Sequence, residues 1–386
     1  MQAADFAILA LAAVAVAGIS VVWACALSFC EVSASAGSAP AAPLLPMTLI
    51  KPVKGLDDAL AENFESIARA DPEGVVQVIV AVESAEDPAH AVAAAFAARH
   101  PGRDTIIVLS GPHGSRMGKT HNMIAALGRA RHDRVIFSDA DVETTPALLA
   151  ETSRAFSEGK GAVFALPRHR RVPGLGGLLF EAAMNHAFAP ASALGWRLGV
   201  LRSSAGAWMA YTREALERAG GLEPIANEIA DDFALSTRVL AAGADGELMG
   251  VPAFVSETGT ELGSTVAHLA KWASIIRCAA PWPYGLAPLV APGVVASVLL
   301  AVCAATGRHA AVGWVVAAAA FGSRSLAALV TDLKADGRPG PFWGYAMMAL
   351  ADLGGLGFWL AGFRSEIRWR GVRYRLSRGG KAQVLA

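Results

Sequence analysis

Hydrophobic positions along this chain follow two rhythms. From Phe6 to Phe29 the sequence is almost unbroken apolar residues, long enough to cross a hydrocarbon core of about 30 Å. From residue 47 the apolar runs shorten. Residues 47–53, 75–82, 105–109 and 134–138 read as strands. Between and after them, residues 57–70, 88–99, 119–130 and 146–157 carry helical spacing, with Pro88 and Pro146 suited to a first helical turn. Strands alternating with helices predict an α/β domain on a mainly parallel sheet with right-handed crossovers. No repeat of solenoid period is present.

Past about residue 170 the pattern loosens. Residues 174–180 and 187–201 are apolar with little polar punctuation and suit either a lipid-facing surface or core beneath the sheet. Residues 215–219 read as a short helix capped by Gly220-Gly221, and residues 225–242 as a helix-rich stretch. Three more apolar segments follow. Residues 284–303 hold Pro288 and Pro292 near their start. Residues 310–322 are Ala-rich and short, with Arg324 interrupting them; on length they are the weakest candidate span, while Asp352 marks the last segment as unusual, and the sequence leaves either as the one that does not span. Residues 342–363 contain Asp352 and several glycines. The chain thus divides into an N-terminal transmembrane anchor (1–30), a linker rich in Ala, Ser, Gly and Pro (31–46), a sheet-containing domain (47–280), membrane segments (281–363) and a basic cytoplasmic tail (364–386).

Composition supports a membrane setting. Hydrophobic residues make up 54% and charged residues 17% of the 386, against roughly 25% charged in soluble domains. Formal net charge is zero, so nothing suggests nucleic acid. Ala34-Ser35-Ala36 resembles a signal-peptide cleavage site, but the first run is longer than a signal core and lacks a basic leader, so an uncleaved anchor is expected. Lys51 and Lys54 follow the anchor, and seven basic residues with only Glu366 as acid fill 364–386. The positive-inside rule therefore puts both domain and tail in the cytoplasm of a multi-pass inner-membrane protein, which requires one C-terminal segment not to span. Cys25, Cys30, Cys278 and Cys303 form no C-x-x-C, so no zinc or redox motif is present.

Candidate chemistry lies in acidic stretches. Asp139-Ala140-Asp141 follows the apolar run ending at Ser138. Two carboxylates at i and i+2 past a strand's C-terminal end can converge on one hard cation, at the sheet edge where ligands bind. Such a cation could hold a diphosphate, pointing to an enzyme with a nucleotide-activated donor. Glu83-Ser84-Ala85-Glu86-Asp87 and Asp231-Asp232 are the other two stretches. Gly114–Thr120 resembles a P-loop but has three residues between its glycines instead of four. Lys119 can still face phosphate from a helix N-terminus.

Taken in order, Lys51-Pro52-Val53-Lys54-Gly55, Glu86-Asp87-Pro88, Gly118-Lys119-Thr120-His121-Asn122, Ser138-Asp139-Ala140-Asp141, Ala219-Gly220-Gly221-Leu222, Ile229-Ala230-Asp231-Asp232-Phe233 and Lys271-Trp272 resemble the ceramide glucosyltransferases and the bacterial hopanoid-biosynthesis glycosyltransferases. The resemblance covers about 47–280. It implies a GT-A nucleotide-sugar fold flanked by transmembrane helices, and inverting transfer from a UDP-sugar to the primary hydroxyl of a ceramide-like lipid. N-acetylglucosaminyl transfer to a hopanoid, or a polysaccharide synthase of the same fold, are its alternatives. It further implies Asp232 as base, a Mg2+ or Mn2+ ion at Asp139 and Asp141, and donor contacts from Lys51, Lys119, Asn122 and Asp139. The family's first aspartate aligns with Ser84, so Glu83 or Glu86 is expected to substitute. Its closing Gln- or Arg-x-x-Arg-Trp becomes His268-Leu269-Ala270-Lys271-Trp272, placing His268, Lys271 and Trp272 beside the diphosphate, with lysine lacking arginine's bidentate fork.

Overall fold

The protein is described by a computed structural model covering residues 3–35, 43–57, 59–170, 174–201, 205–256, 261–369, 372–377 and 379–385. Most of the expected linker, 36–42, lies outside these residues. Helix α1 (Ala3–Ala34) is apolar all round, as suits a lipid environment. The alternating units follow: β1 (Thr48–Pro52), α2 (Leu60–Ala70), β2 (Gln77–Val82), α3 (Pro88–Arg99), β3 (Thr105–Leu109), α4 (Gly118–Leu127), β4 (Arg134–Ser138) and α5 (Pro146–Ser157). Each was legible in the sequence. Side-chain caps fix two of the starts, Asp87 accepting from Ala89 N and Thr145 from Leu148 N.

The stretch beyond 160 is more structured than its pattern suggests. It forms β5 (Ala162–Ala165), β6 (Pro167–His169), α6 (Leu175–Ala183), a π-helical turn at Met184–Phe188, α7 (Ala189–Arg197), β7 (Trp208–Thr212), α8 (Arg213–Arg218), α9 (Asp231–Ala241), β8 (Gly246–Leu248), β9 (Ala253–Val255) and α10 (Leu262–Ala279). The main sheet runs β3-β2-β1-β4-β7-β5-β8. All its pairings are parallel except those of β7, which lies antiparallel between β4 and β5. This is the mainly parallel α/β sheet expected of a GT-A domain. The period-two alternation of each strand feeds two cores. Leu49, Val78, Val80 and Ile136 pack with α2, α3 and α5. Ile50, Ile79, Val135 and Phe137 pack with α4, α8 and α9. Each large side chain so buried contributes about 1.5–3 kcal/mol.

The C-terminal segments depart from the sequence reading. α11 (Pro281–Leu286) and a 3-10 turn (Ala287–Val290) meet α12 (Pro292–Thr306) at a 51° bend, where Pro288 and Pro292 interrupt the backbone ladder. The supposedly weakest span is the longest of this group, α13 (Ala310–Asp336), which together with α1 is long and apolar enough to cross a membrane. Arg324 does not interrupt it, because Arg324 Nε donates to Asp352 Oδ1 at 2.7 Å. The last apolar stretch is broken into α14 (Phe342–Ala346) and α15 (Met348–Ala361).

Residues 364–386 are not a simple tail. Over their described part they form an antiparallel sheet, β10 (Glu366–Trp369), β11 (Val372–Leu376) and β12 (Ala382–Leu385). The sheet is bonded to the domain: Ile229 N donates to Gly380 O at 2.9 Å and Ala382 N to Asn227 O at 3.1 Å. Ile367 and Tyr374 pack on Met117, Ile229 and Cys278. Sheet and domain therefore share one side of any bilayer, and the chain between Ala279 and Glu366 must cross an even number of times. By length and composition, α13 and the bent α11–α12 pair taken as one span are the candidates for two crossings. At the far side, Arg308 Nη1 lies 2.8 Å from Asp5 Oδ1 and His309 Nε2 3.1 Å from it. At the near side, buried Arg168 bonds Asp332 and Asp336 of α13 at 2.9 and 2.6 Å.

Topology reporters test this arrangement. A reporter inserted at Gly307 should read the side opposite to reporters placed after Leu56 and after Leu385. The same side for all three would mean that the bent pair does not cross.

Candidate functional site

Strand β1 lies between β2 and β4, so the chain order reverses at this point and a crevice opens beyond the carboxyl ends of β1 and β4. Lys51, one of the last residues of β1, is fully buried there. Its Nζ donates to Ser138 Oγ at 3.2 Å, Asp139 O at 2.9 Å and Val142 O at 2.9 Å. Burial pulls this ammonium down to about 8, and the nearby Asp141 and Asp139 charges oppose the fall. Lys51, expected beside a nucleotide, instead fastens the loop that carries the two aspartates. Asn63 Nδ2 donates to Ala140 O at 3.1 Å and Ser256 N to Asp141 O at 2.8 Å, completing the clamp.

A second acid pair faces this loop. Asp231 and Asp232 occupy the first turn of α9, where the helix dipole favours negative charge. Lys119, in the first turn of α4, lies between the two groups. Its Nζ is 2.8 Å from Asp139 Oδ1 and 3.1 Å from Asp231 Oδ2. The second contact is an ion pair without hydrogen-bond geometry. Burial lowers the Lys119 pKa, but Asp139, Asp231 and Asp232 outweigh it and hold the ammonium well above its usual range. Burial raises Asp231, with Lys119 opposing. Asp232 is pushed up to about 6, first by burial and then by the Asp231 charge. Its two oxygens accept backbone hydrogens, Oδ2 from Gly206 N at 2.8 Å and Oδ1 from Phe233 N at 2.7 Å.

Gly206 is a position that sequence reasoning missed. A Cβ there would sit 3.0 Å from Lys119 Nζ, 3.3 Å from Asp139 Oδ2 and 3.5 Å from Asp232 Oδ2. A bare backbone here leaves the three side chains room to converge without displacement. Its signal in the sequence, an isolated glycine before an unrecognised strand, was too weak to find.

At the rim, Lys54 Nζ and Glu83 Oε2 are 3.1 Å apart. Asn122 ties the ends of β1 and β2, its Nδ2 donating to Val53 O and Ala81 O at 3.2 Å each. From α10, His268 stacks edge-on against Trp272 at 4.5 Å, and both pack on Phe180. Burial, with Lys271 close by, pushes His268 down to about 3, so its ring is neutral and Lys271 alone carries the charge of this segment. Lys271 Nζ lies 5.4 Å from the ring centroid of Trp369 on β10, a cation–π contact.

Glu83, Lys119, Asn122, Asp139, Asp141, Asp232, His268, Lys271 and Trp272 all line one cavity of about 960 Å³, as do Lys54, Trp369 and Tyr374. Lys51 does not. The same cavity continues between the apolar helices, where Val22 of α1, Pro292 of α12, and Leu356 and Trp359 of α15 form its wall. One end is charged and the other is apolar. Oxygen-only donors on a fastened loop, Asp139 and Asp141, suit a hard divalent cation, and Lys119 already holds positive charge against Asp139.

Comparison with known proteins follows this geometry. The chain is 24% identical over 233 residues to ceramide glucosyltransferase 1 of Caenorhabditis elegans, an alignment covering 60% of this chain and 50% of that protein. The chain thus spans about half the length of the curated relative it matches. Among solved structures it is similar to a mannosyltransferase from Pyrobaculum calidifontis in complex with GDP-Man and Mn2+, at 19% identity and TM-score 0.48, covering 92% of this chain and 100% of that one. It is also similar to glucosyl-3-phosphoglycerate synthase from Mycobacterium tuberculosis, at 18% identity and TM-score 0.37, covering 72% and 84%. The pattern of glycosyl transferase family 21 matches residues 6–382. With that match running from within the first membrane helix to the start of the last strand, the chain belongs to glycosyl transferase family 21.

Proposed function

We propose that this protein transfers a sugar from a UDP-sugar to the primary hydroxyl of a membrane lipid, with inversion at the sugar carbon. The observation that carries the reading is the continuous cavity with the carboxylates at one end and membrane-helix residues at the other. An amphipathic acceptor fits such a space, its hydroxyl among the acids and its chains among Val22, Leu356 and Trp359. The catalytic domain (47–280) lies in the cytoplasm in this reading, where UDP-sugars are made.

Asp232 acts as the base. Its carboxylate takes the proton of the acceptor hydroxyl, the hydroxyl oxygen forms a bond to the sugar carbon, and the bond from that carbon to the diphosphate breaks. Attack from the face opposite the diphosphate inverts the carbon. A base with a pKa near 6 is ionised at neutral pH yet accepts a proton readily. Gly206 N–H aims one of its oxygens. Negative charge leaves on the diphosphate, toward which Lys119 and Lys271 offer positive charge. A divalent cation held by Asp139 and Asp141 would share that charge when bound. Lys51 keeps the loop of those two ligands in place from behind.

The direct test is a membrane assay with radiolabelled UDP-sugars and total bacterial lipid resolved by thin-layer chromatography. A labelled lipid product is expected; label appearing only in polymer would overturn the reading.

Asp232→Asn should lower transfer by about 10²–10⁴-fold with donor binding nearly unchanged, and wild-type activity should rise with pH through about 6. Stability should move the other way. The carboxyl is raised from 3.8 in the folded chain, so its contribution is fully present below that value and lost as pH rises through about 6. Asp232→Asn should therefore melt at a higher temperature than wild type above that window, and at the same temperature well below it. Near-normal turnover in the variant would remove Asp232 from the mechanism.

Asp139→Ala should abolish metal-dependent donor binding, followed by titration of labelled UDP into the purified protein with and without Mn2+. Full wild-type binding and activity in excess chelator would count decisively against a metal role.

A further inference from the structure

Among the described residues, the cavity wall contains an Arg–Asp ion pair set among the apolar helices, and the proposed mechanism does not use it. Arg324 lies on α13, eight residues before Asp332, or about 12 Å along a helix. Asp332 pairs with Arg168 of the sheet domain, so Arg324 sits at the depth where the membrane gives way to the domain. Its partner is Asp352 on α15. Ionised residues at such a depth are costly and mark functional sites. Here the pair is well made. Arg324 Nε donates to Asp352 Oδ1 at 2.7 Å, Nη1 donates to His186 O at 3.2 Å, and Asp352 Oδ2 accepts from Gly293 N at 3.2 Å. The remaining nitrogen, Nη2, has no hydrogen-bond partner among the described residues, yet it is not among the enclosed orphan atoms. Both Arg324 and Asp352 line the cavity, as do Cys25, Gly355 and Leu356, and Cys25 lies close enough to feel the Arg324 charge. A guanidinium has five donors and no acceptor. Its free edge thus offers N–H groups to an oxygen within an otherwise apolar part of the cavity.

We infer that Arg324 Nη2 forms a second polar subsite of the lipid-binding cavity, which takes an uncharged oxygen acceptor, such as an amide carbonyl, on a neutral lipid. The class follows from charge. Asp352 neutralises Arg324, so the pair presents directed N–H groups without net attraction for an anion. In such apolar surroundings a hydrogen bond from a charged donor is worth more than one at the surface. A plain long-chain alcohol has nothing to place against these donors. The subsite rests on the proposed lipid acceptor but is separable from it, because it concerns binding and not transfer.

The test uses the full chain in lipid nanodiscs and three fluorescent probes sharing one acyl chain: an N-acyl amino alcohol, a plain primary alcohol and a phosphate monoester. Binding is measured without UDP-sugar, and transfer is measured separately. Wild type should bind the amide probe about tenfold more tightly than the plain alcohol, with the phosphate no tighter than the amide. Arg324→Lys keeps the charge opposite Asp352 but removes the fork. It should lose the amide preference while binding the plain alcohol as before. Cys25→Phe, which narrows the cavity near Arg324 and leaves both residues of the pair in the chain, should weaken the amide probe in the same way and serves if Arg324→Lys does not fold. A preference that survives both substitutions, equal weakening of every probe, or tighter binding of the phosphate would overturn the subsite. Amide-selective binding without any transfer would leave the subsite standing and sink the glycosyl-transfer reading. Transfer with an unaltered amide preference in Arg324→Lys would do the reverse.

Discussion

The site depends on one ammonium group held among carboxylates. Lys119 is within about 3 Å of Asp139 and Asp231, and Asp232 lies close enough to shift it. Acids this crowded and buried repel one another and resist ionising. Without Lys119 between them, the loop after β4 and the first turn of α9 could not approach so closely with their charges intact. The approach is also eased by a residue with no side chain at 206, where a Cβ would crowd the same ammonium. A single cation and a single glycine thus set the spacing between the proposed metal-holding loop and the proposed base.

Two buried basic residues do comparable work elsewhere. Lys51 is enclosed behind the site and spends its donors on the loop of Asp139 and Asp141. Arg168 joins the sheet domain to α13 through Asp332 and Asp336. Removing one partner of such a buried pair typically costs about 3–5 kcal/mol, because the other charge is left stranded. The domain is therefore keyed to the membrane helices and not merely tethered to them, and a cavity that runs from one to the other keeps a fixed shape.

Much of this was legible in the sequence, for physical reasons. The first four strands and helices alternate cleanly because both faces of their sheet are covered, and caps at Asp87 and Thr145 mark the boundaries. Asp139, Asp141, Lys119 and Asp232 stood out because charged residues at strand and helix ends seldom serve the core. What the sequence hid was long-range. β5 and β7 are short apolar runs that periodicity cannot tell from buried helix. Arg324 looked like an interruption of a span because its partner, Asp352, lies 28 residues away. Lys51 looked like a ligand contact because nothing local reveals that a strand-end lysine is fully enclosed. The basic stretch after Phe363 looked like a solvated tail, since its strands are stabilised by Met117, Ile229 and Cys278 from distant parts of the chain.

That last sheet has a consequence for how the molecule comes into being. Trp369, Val372 and Tyr374 form part of the cavity wall, and Trp369 lies against the Lys271 ammonium. In chain order these residues come after every apolar helix. The α/β domain, made earlier, can fold around its own core, but its cavity lacks this wall until the last residues have been made and packed against Met117, Ile229 and Cys278. Completion of the site is thus coupled to the end of synthesis, so a nascent or truncated chain holds the acids in place without the wall that encloses them.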